Sequence, residues 1–168
     1  MRIVNYSNIY GFKSIKSEKD VNILSLVLIK NAEGFSPIPY LDRLGNRTIG
    51  YGFNMSLPQF SNYKAMTEMD ASDLLFAFIE KLYPVVLSKI CFGKEYSENI
   101  MSVLMDMSYN LGIEGLSNFD SFLSLLRLGK IDNAVSDLTN TLWYSQVGQR
   151  AIRNCFNLLT TKNYLYLI

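Results

Sequence analysis

From Val21 onward apolar residues recur at helical spacing, through Ile23, Leu26 and Val27, and Lys30 and Glu33 follow in the same period until Gly34 ends the run. Asp20 is a residue type that caps helix starts, so a helix is predicted from there to Glu33, with Glu33 near its C-terminal end. Pro37, Pro39, Gly45, Gly50 and Gly52 then break helical structure repeatedly. Tyr40-Leu41-Asp42 and Arg47 to Tyr51 read as short strands around a Leu44-Gly45-Asn46 turn, a hairpin directly behind the Glu33 helix. Asn54 to Ala65 read as a polar loop. Thr67, with Asp70 three residues on, resembles a capping box and opens a long helix through Leu74, Leu75, Phe78, Ile79, Leu82, Val85 and Val86. Pro84 is expected to kink or end that helix near Lys81 to Tyr83. From Tyr96 onward apolar helical stretches alternate with breaks at Gly112, Gly115, Gly129 and Gly148, which predicts a compact lobe of about five helices. The first twenty residues are polar and turn-rich and read as an appended arm.

The chain has 168 residues, enough for one ordinary domain, and its 49% apolar and 18% charged residues suit a packed core. Composition sharpens the picture mainly through what is missing. There is no histidine, and cysteine occurs only at positions 91 and 155. Serine–histidine and cysteine–histidine hydrolases and the usual zinc hydrolases need imidazole, so catalysis falls to carboxylates, Lys, Tyr or a hydroxyl-held water. With no CxxC pair, Cys91 and Cys155 are expected to be buried free thiols. A formal net charge of +1 argues against a general nucleic-acid binder, and the basic excess after Ser121 reads as a solvated helix face.

No stretch approaches the roughly 18 apolar residues of a membrane span, and stable membrane insertion is not expected. Val21 to Ile29 follows Lys13, Lys16 and Lys19, as the apolar part of a signal peptide would. The Lys30-Asn31-Ala32-Glu33-Gly34 segment behind it is a poor cleavage site. The expectation is a protein kept in the cytoplasm until something releases it.

Two carboxylates flank the helix-to-hairpin corner: Glu33 at the helix end and Asp42 nine residues later, with Thr48 six residues beyond on the returning strand. Paired acids on neighbouring elements are the minimum apparatus of glycoside hydrolysis. One protonates the leaving oxygen while the other assists water or stabilises positive charge on the sugar. Glu33, emerging from an apolar helix face, suits the acid role, and Asp42, on a loop-rich strand, suits the ionised one. A hydroxyl such as that of Thr48 can hold a water. Spacing alone leaves plain surface ion pairs open, for instance Asp42 with Arg43.

The order Glu33-Gly34, Tyr40-Leu41-Asp42, Gly45 and Thr48-Ile49-Gly50-Tyr51-Gly52 resembles the phage-type lysozymes, or endolysins. A second match lies downstream in Ser108-Tyr109-Asn110-Leu111-Gly112, Asn118-Phe119, Trp143-Tyr144-Ser145-Gln146 and Arg150-Ala151-Ile152-Arg153. The resemblance spans about residues 22 to 160. It implies an α+β, mainly α fold with a small hairpin lobe (21–66), a linking helix (67–90) and a helical C-terminal lobe (91–168). It implies cleavage of the β-1,4 bond between N-acetylmuramic acid and N-acetylglucosamine in peptidoglycan, with inversion and without cofactor or metal. Glu33 would be the general acid, Asp42 the second carboxylate and Thr48 the water-positioning group, with Arg150 pairing Glu33. Asn54, Tyr109, Phe122 and Asp137 would line the saccharide cleft, whereas Trp143 suits core packing. A monomer released from the host cytoplasm to the periplasm through a pore made by a holin completes the expectation.

Phe53 stands where the family often has His, Phe122 where it has a cleft serine, and Asp137 where Asn is familiar. These departures motivate a rival reading, a wall-binding component, for example of a phage tail, that keeps the fold without hydrolysis.

Overall fold

The computed structural model describes residues 18–42 and 44–160. The arm expected over residues 1–20 therefore lies, up to residue 17, outside the described residues, as does Arg43. Helix α1 (Glu18–Glu33) already includes Asp20, so Asp20 is not its cap as the pattern suggested. Strands β1 (Ser36–Leu41), β2 (Arg47–Gly50) and β3 (Phe53–Asn54) form an antiparallel sheet in the order β1-β2-β3. The predicted hairpin is present, with a third strand where a polar loop was expected.

Pro37 and Pro39 did not exclude a strand, because β1 is the sheet's edge and a residue without N–H is tolerated there. Their effect is local: the register with β2 slips between Ser36 and Tyr40. The β1 backbone is tied down elsewhere, since the Pro37 carbonyl accepts the Met66 N–H at 2.8 Å.

Helix α2 (Glu68–Lys89) starts as predicted: the Thr67 hydroxyl accepts the Asp70 N–H at 3.1 Å and donates to the Asp70 carboxylate at 2.7 Å. Of the two outcomes expected at Pro84, a kink or an end, the helix does not end there. An interior proline costs a helix about 3 kcal/mol. Here the lost bond falls on the carbonyl of exposed Glu80, where water can replace it, while fully buried Ile79 and Val86 anchor the helix on either side.

Five helices follow among the described residues: α3 (Glu98–Ser117), α4 (Asp120–Arg127), α5 (Ile131–Thr139), α6 (Leu142–Val147) and α7 (Gln149–Thr160). The expected break at Gly112 appears as non-helical backbone inside α3. The mainly helical α+β fold matches the sequence expectation. Helix α3 is the centre of the molecule. Its run from Ile100 to Ser108 is buried without interruption, and α1, α2 and α7 pack on it. Cys91 and Cys155 are buried free thiols as predicted, and burial pushes the Cys91 thiol up to about 11. No helix is long and apolar enough to cross a membrane among the described residues.

Candidate active site

The sheet register sorts the hairpin residues into two faces. Thr48 lies opposite Tyr40 on β1 and Asn54 on β3, so the three share one face, because directly paired residues of antiparallel strands point the same way. Ile49 and Phe53 occupy the other face and enter the core, 0% and 7% exposed. The same alternation sets the polar triplet on the opposite face, where Tyr40 and Asn54 are exposed and Thr48 lies buried between them, 4% exposed.

Glu33 closes α1 beside this face. The Tyr40 phenol is pushed up by burial and further by the charges of both Glu33 and Asp42, so it stands in the field of both acids. Asp42 follows β1 directly. Its Oδ1 accepts the N–H groups of Leu44 and Asn46 at 2.9 and 2.8 Å, and its Oδ2 accepts the Asn46 amide at 3.1 Å. Those bonds, the Asn46 side chain foremost, hold its carboxyl below the usual aspartate value and keep it ionised. Asp42 thereby fixes the hairpin turn as well. The Thr48 hydroxyl donates to the Asn46 carbonyl at 3.1 Å, which orients it and leaves its lone pairs free to accept from water. Asn54 is exposed and its Oδ1 accepts the Ser56 N–H at 2.8 Å.

Arg150 meets Glu33 from α7, Nη1 to Oε1 at 2.6 Å, as the resemblance implied. Beyond expectation, the same guanidinium binds Asp106 through three contacts. Nε donates to Oδ2 at 3.0 Å, and Nη2 donates to Oδ1 at 2.8 Å and to the backbone carbonyl at 3.2 Å. Asn154 adds a fourth bond to Asp106 Oδ2 at 2.8 Å. Burial by itself loosens the Arg150 proton, but the two carboxylates, Asp106 first, more than restore it.

Tyr109 sits beside Glu33, but as a strut. Its hydroxyl donates to the Tyr51 carbonyl at 2.7 Å and its ring meets Phe78 edge-on at 5.5 Å. Burial, then the Glu33 charge, pushes its phenol well up, so it stays protonated. The strut joins α3 to the turn between β2 and β3. Tyr51 carries the same turn to α2, donating to Glu68 at 2.7 Å, with the Lys30 ammonium 5.1 Å above its ring.

Phe122 is 0% exposed and offers no surface to a saccharide; as the inward residue of short α4 it is core, which corrects its assignment to the cleft. The hydroxyl at that corner belongs to Ser121, which donates to Asp137 at 2.8 Å. Ser121 and Asp137 line a shallow cavity of about 350 Å³ with Phe119 and Trp143. Trp143 is buried as expected, its N–H donating to Asn110 at 2.8 Å and its ring edge-on to Phe119. Phe53, the residue in the histidine position, stacks on Phe60 at 4.9 Å in the core. No cluster of three or more His, Cys, Asp or Glu that could hold a metal occurs among the described residues.

A family model described as phage lysozyme matches residues 30–154 of the chain, a span that begins just before Glu33 and closes on Asn154. No curated protein matches the chain.

Proposed function

From the premise that the chain belongs to the phage lysozyme family, we propose that it is a muramidase endolysin that hydrolyses the β-1,4 bond between N-acetylmuramic acid and N-acetylglucosamine in peptidoglycan. The observation that carries the reading is the placement of Glu33 beside the polar sheet face, gripped by Arg150 through Oε1, with Oε2 as the oxygen nearest Gly52. In this reading Oε2 bears the proton that Glu33 gives to the glycosidic oxygen as the bond breaks. Asp42, held ionised by its turn, takes a proton from the attacking water and opposes the positive charge growing on the sugar ring. Thr48 accepts that water's second hydrogen and aims its oxygen at the face opposite the leaving group, which gives inversion. The enzyme acts as a monomer, and a holin pore releases it from the host cytoplasm to the wall.

The test is release of reducing ends from purified sacculi. Glu33→Gln keeps the Arg150 contact but removes the transferable proton, and loss of general acid catalysis is expected to lower turnover about 10²-fold or more. Clearance at the parent rate would refute the assignment. Thr48→Ala is expected to lose most turnover while still melting cooperatively. The rival wall-binding reading rests on Phe53, Phe122 and Asp137. The first two are core residues that make no contact in the cleft, where Ser121 supplies a hydroxyl beside Asp137, and the presence of Glu33, Asp42 and Thr48 favours hydrolysis.

A further inference from the structure

Arg150 carries one positive charge and faces two carboxylates, and the geometry divides it unequally. Three of its contacts go to Asp106, whose side chain is 1% exposed, and a single one goes to Glu33, 24% exposed. The fork-to-fork arrangement with Asp106 is the strong, two-point form of such a pair. Asn154, one turn beyond Arg150 on α7, donates to the same carboxylate, at the Oδ2 that also accepts from Arg150 Nε. Among the described residues, the other titratable groups that sense Glu33 are Tyr109 from α3 and Tyr40 from β1, both with phenols pushed up and therefore neutral.

We propose that Asp106 is a positioning residue that takes up the charge of Arg150, so that Arg150 orients Glu33 without stripping it of its proton. The inference rests on the reading of Glu33 as general acid. An isolated Arg150–Glu33 pair would be neutral only with Glu33 ionised, and a buried neutral pair would hold it in that form. With Asp106 already paired, the cluster is neutral when Glu33 is protonated and carries one excess negative charge when it is not. The same guanidinium N–H then serves as a directional donor to Oε1 and leaves Oε2 to carry the proton. Asn154 acts one step further back, by fixing the Asp106 carboxylate.

The experiment follows the Glu33 carboxyl carbon by NMR in ¹³C-labelled protein, with the signal assigned by its loss in Glu33→Gln. Asp106→Asn removes the charge. Asp106→Ser does so without setting an amide donor against the guanidinium, which covers the case in which the first variant fails to fold. In either, the Glu33 titration midpoint is expected to fall by about one pH unit, the lower end of the effect of an unopposed neighbouring cation. The alkaline limb of muramidase activity moves with it, and Asp106→Glu restores both. Midpoints unchanged in both neutral variants, with only the melting temperature lowered, would overturn the proposal and leave Asp106 a structural clamp. A midpoint that shifts in these variants while the parent itself releases no reducing ends would instead sink the muramidase reading and leave the coupling standing.

Discussion

Gly50 and Gly52 stand two residues apart in the turn that closes the sheet, both with positive φ, at +66° and +88°. Placing alanine at either adds the same backbone strain, about 1–2 kcal/mol. What the new methyl meets differs. At Gly50 it would lie 2.8 Å from Phe53 Cδ2, 2.9 Å from Cε2 and 3.1 Å from Met66 Sδ. Phe53 cannot swing aside because Phe60 is stacked on it at 4.9 Å. Overpacking of that kind adds about 1–3 kcal/mol, so Gly50→Ala is expected to lose roughly 2–5 kcal/mol, or about 4–20 °C in Tm for a chain of this size. At Gly52 the nearest atoms are Glu33 Oε2 at 3.5 Å and Tyr109 Oη at 3.9 Å, ordinary contacts. Gly52→Ala is therefore expected to lose only the strain, roughly 2–8 °C, while its methyl takes up space beside the oxygen assigned to carry the proton. The assay is thermal unfolding by circular dichroism beside reducing-end release per folded molecule. Gly50→Ala should be the less stable and Gly52→Ala the less active. Equal losses of Tm would refute the steric argument, and full activity in Gly52→Ala would refute the placement of Oε2.

Two further outcomes follow from single groups. The Ser108 hydroxyl is buried with no hydrogen-bond partner among the described residues, so Ser108→Ala should raise stability by about 1 kcal/mol, seen as a higher midpoint in urea; an unchanged or lower midpoint would mean the hydroxyl is satisfied. Asp42, held below the ordinary aspartate value of 3.8, stabilises the fold above that pH, and its contribution disappears as pH falls through its lower folded value. Asp42→Asn should thus melt below the parent at neutral pH, with the gap closing in strong acid; a gap independent of pH would show that the turn bonds do not depend on the charge.

Much of the fold was legible because it is written locally. The period of α1, the hairpin behind it, the Thr67 cap and the five helices after α2 each follow from a few adjacent residues. What was misread or left open depended on neighbours in space. Pro37 and Pro39 lie in a strand because nothing pairs with β1's outer edge as a strand, and α2 continues past Pro84 because Ile79 and Val86 are buried against other elements. Strand β3 is two residues long and exists only as a partner to β2, through Thr48 with Asn54 and Ile49 with Phe53.

The site divides along the same line. Glu33, Asp42 and Thr48, proposed to carry the chemistry, stand out through the motifs that resemble the phage-type lysozymes, since their spacing alone left surface ion pairs open. Asp106 does not, although the sequence holds a trace of it: a lone acid between Met105 and Met107 in a mostly apolar run, and Arg150 and Asn154 one helical turn apart on α7. A single acid in an apolar helix has no local meaning. It is stable there only because a cation 44 residues away in sequence reaches it at 2.8 Å, since a buried carboxylate without such a partner would cost several kcal/mol. Ser121 was displaced for a smaller reason. In an eight-residue helix one position's turn of about 100° separates the inward Phe122 from the exposed hydroxyl, so residue type at a matched position misleads until the helix is seated on its core. The groups proposed to carry the chemistry were therefore legible, whereas those proposed to tune and orient them are set by contacts that form only when α7 closes on α3.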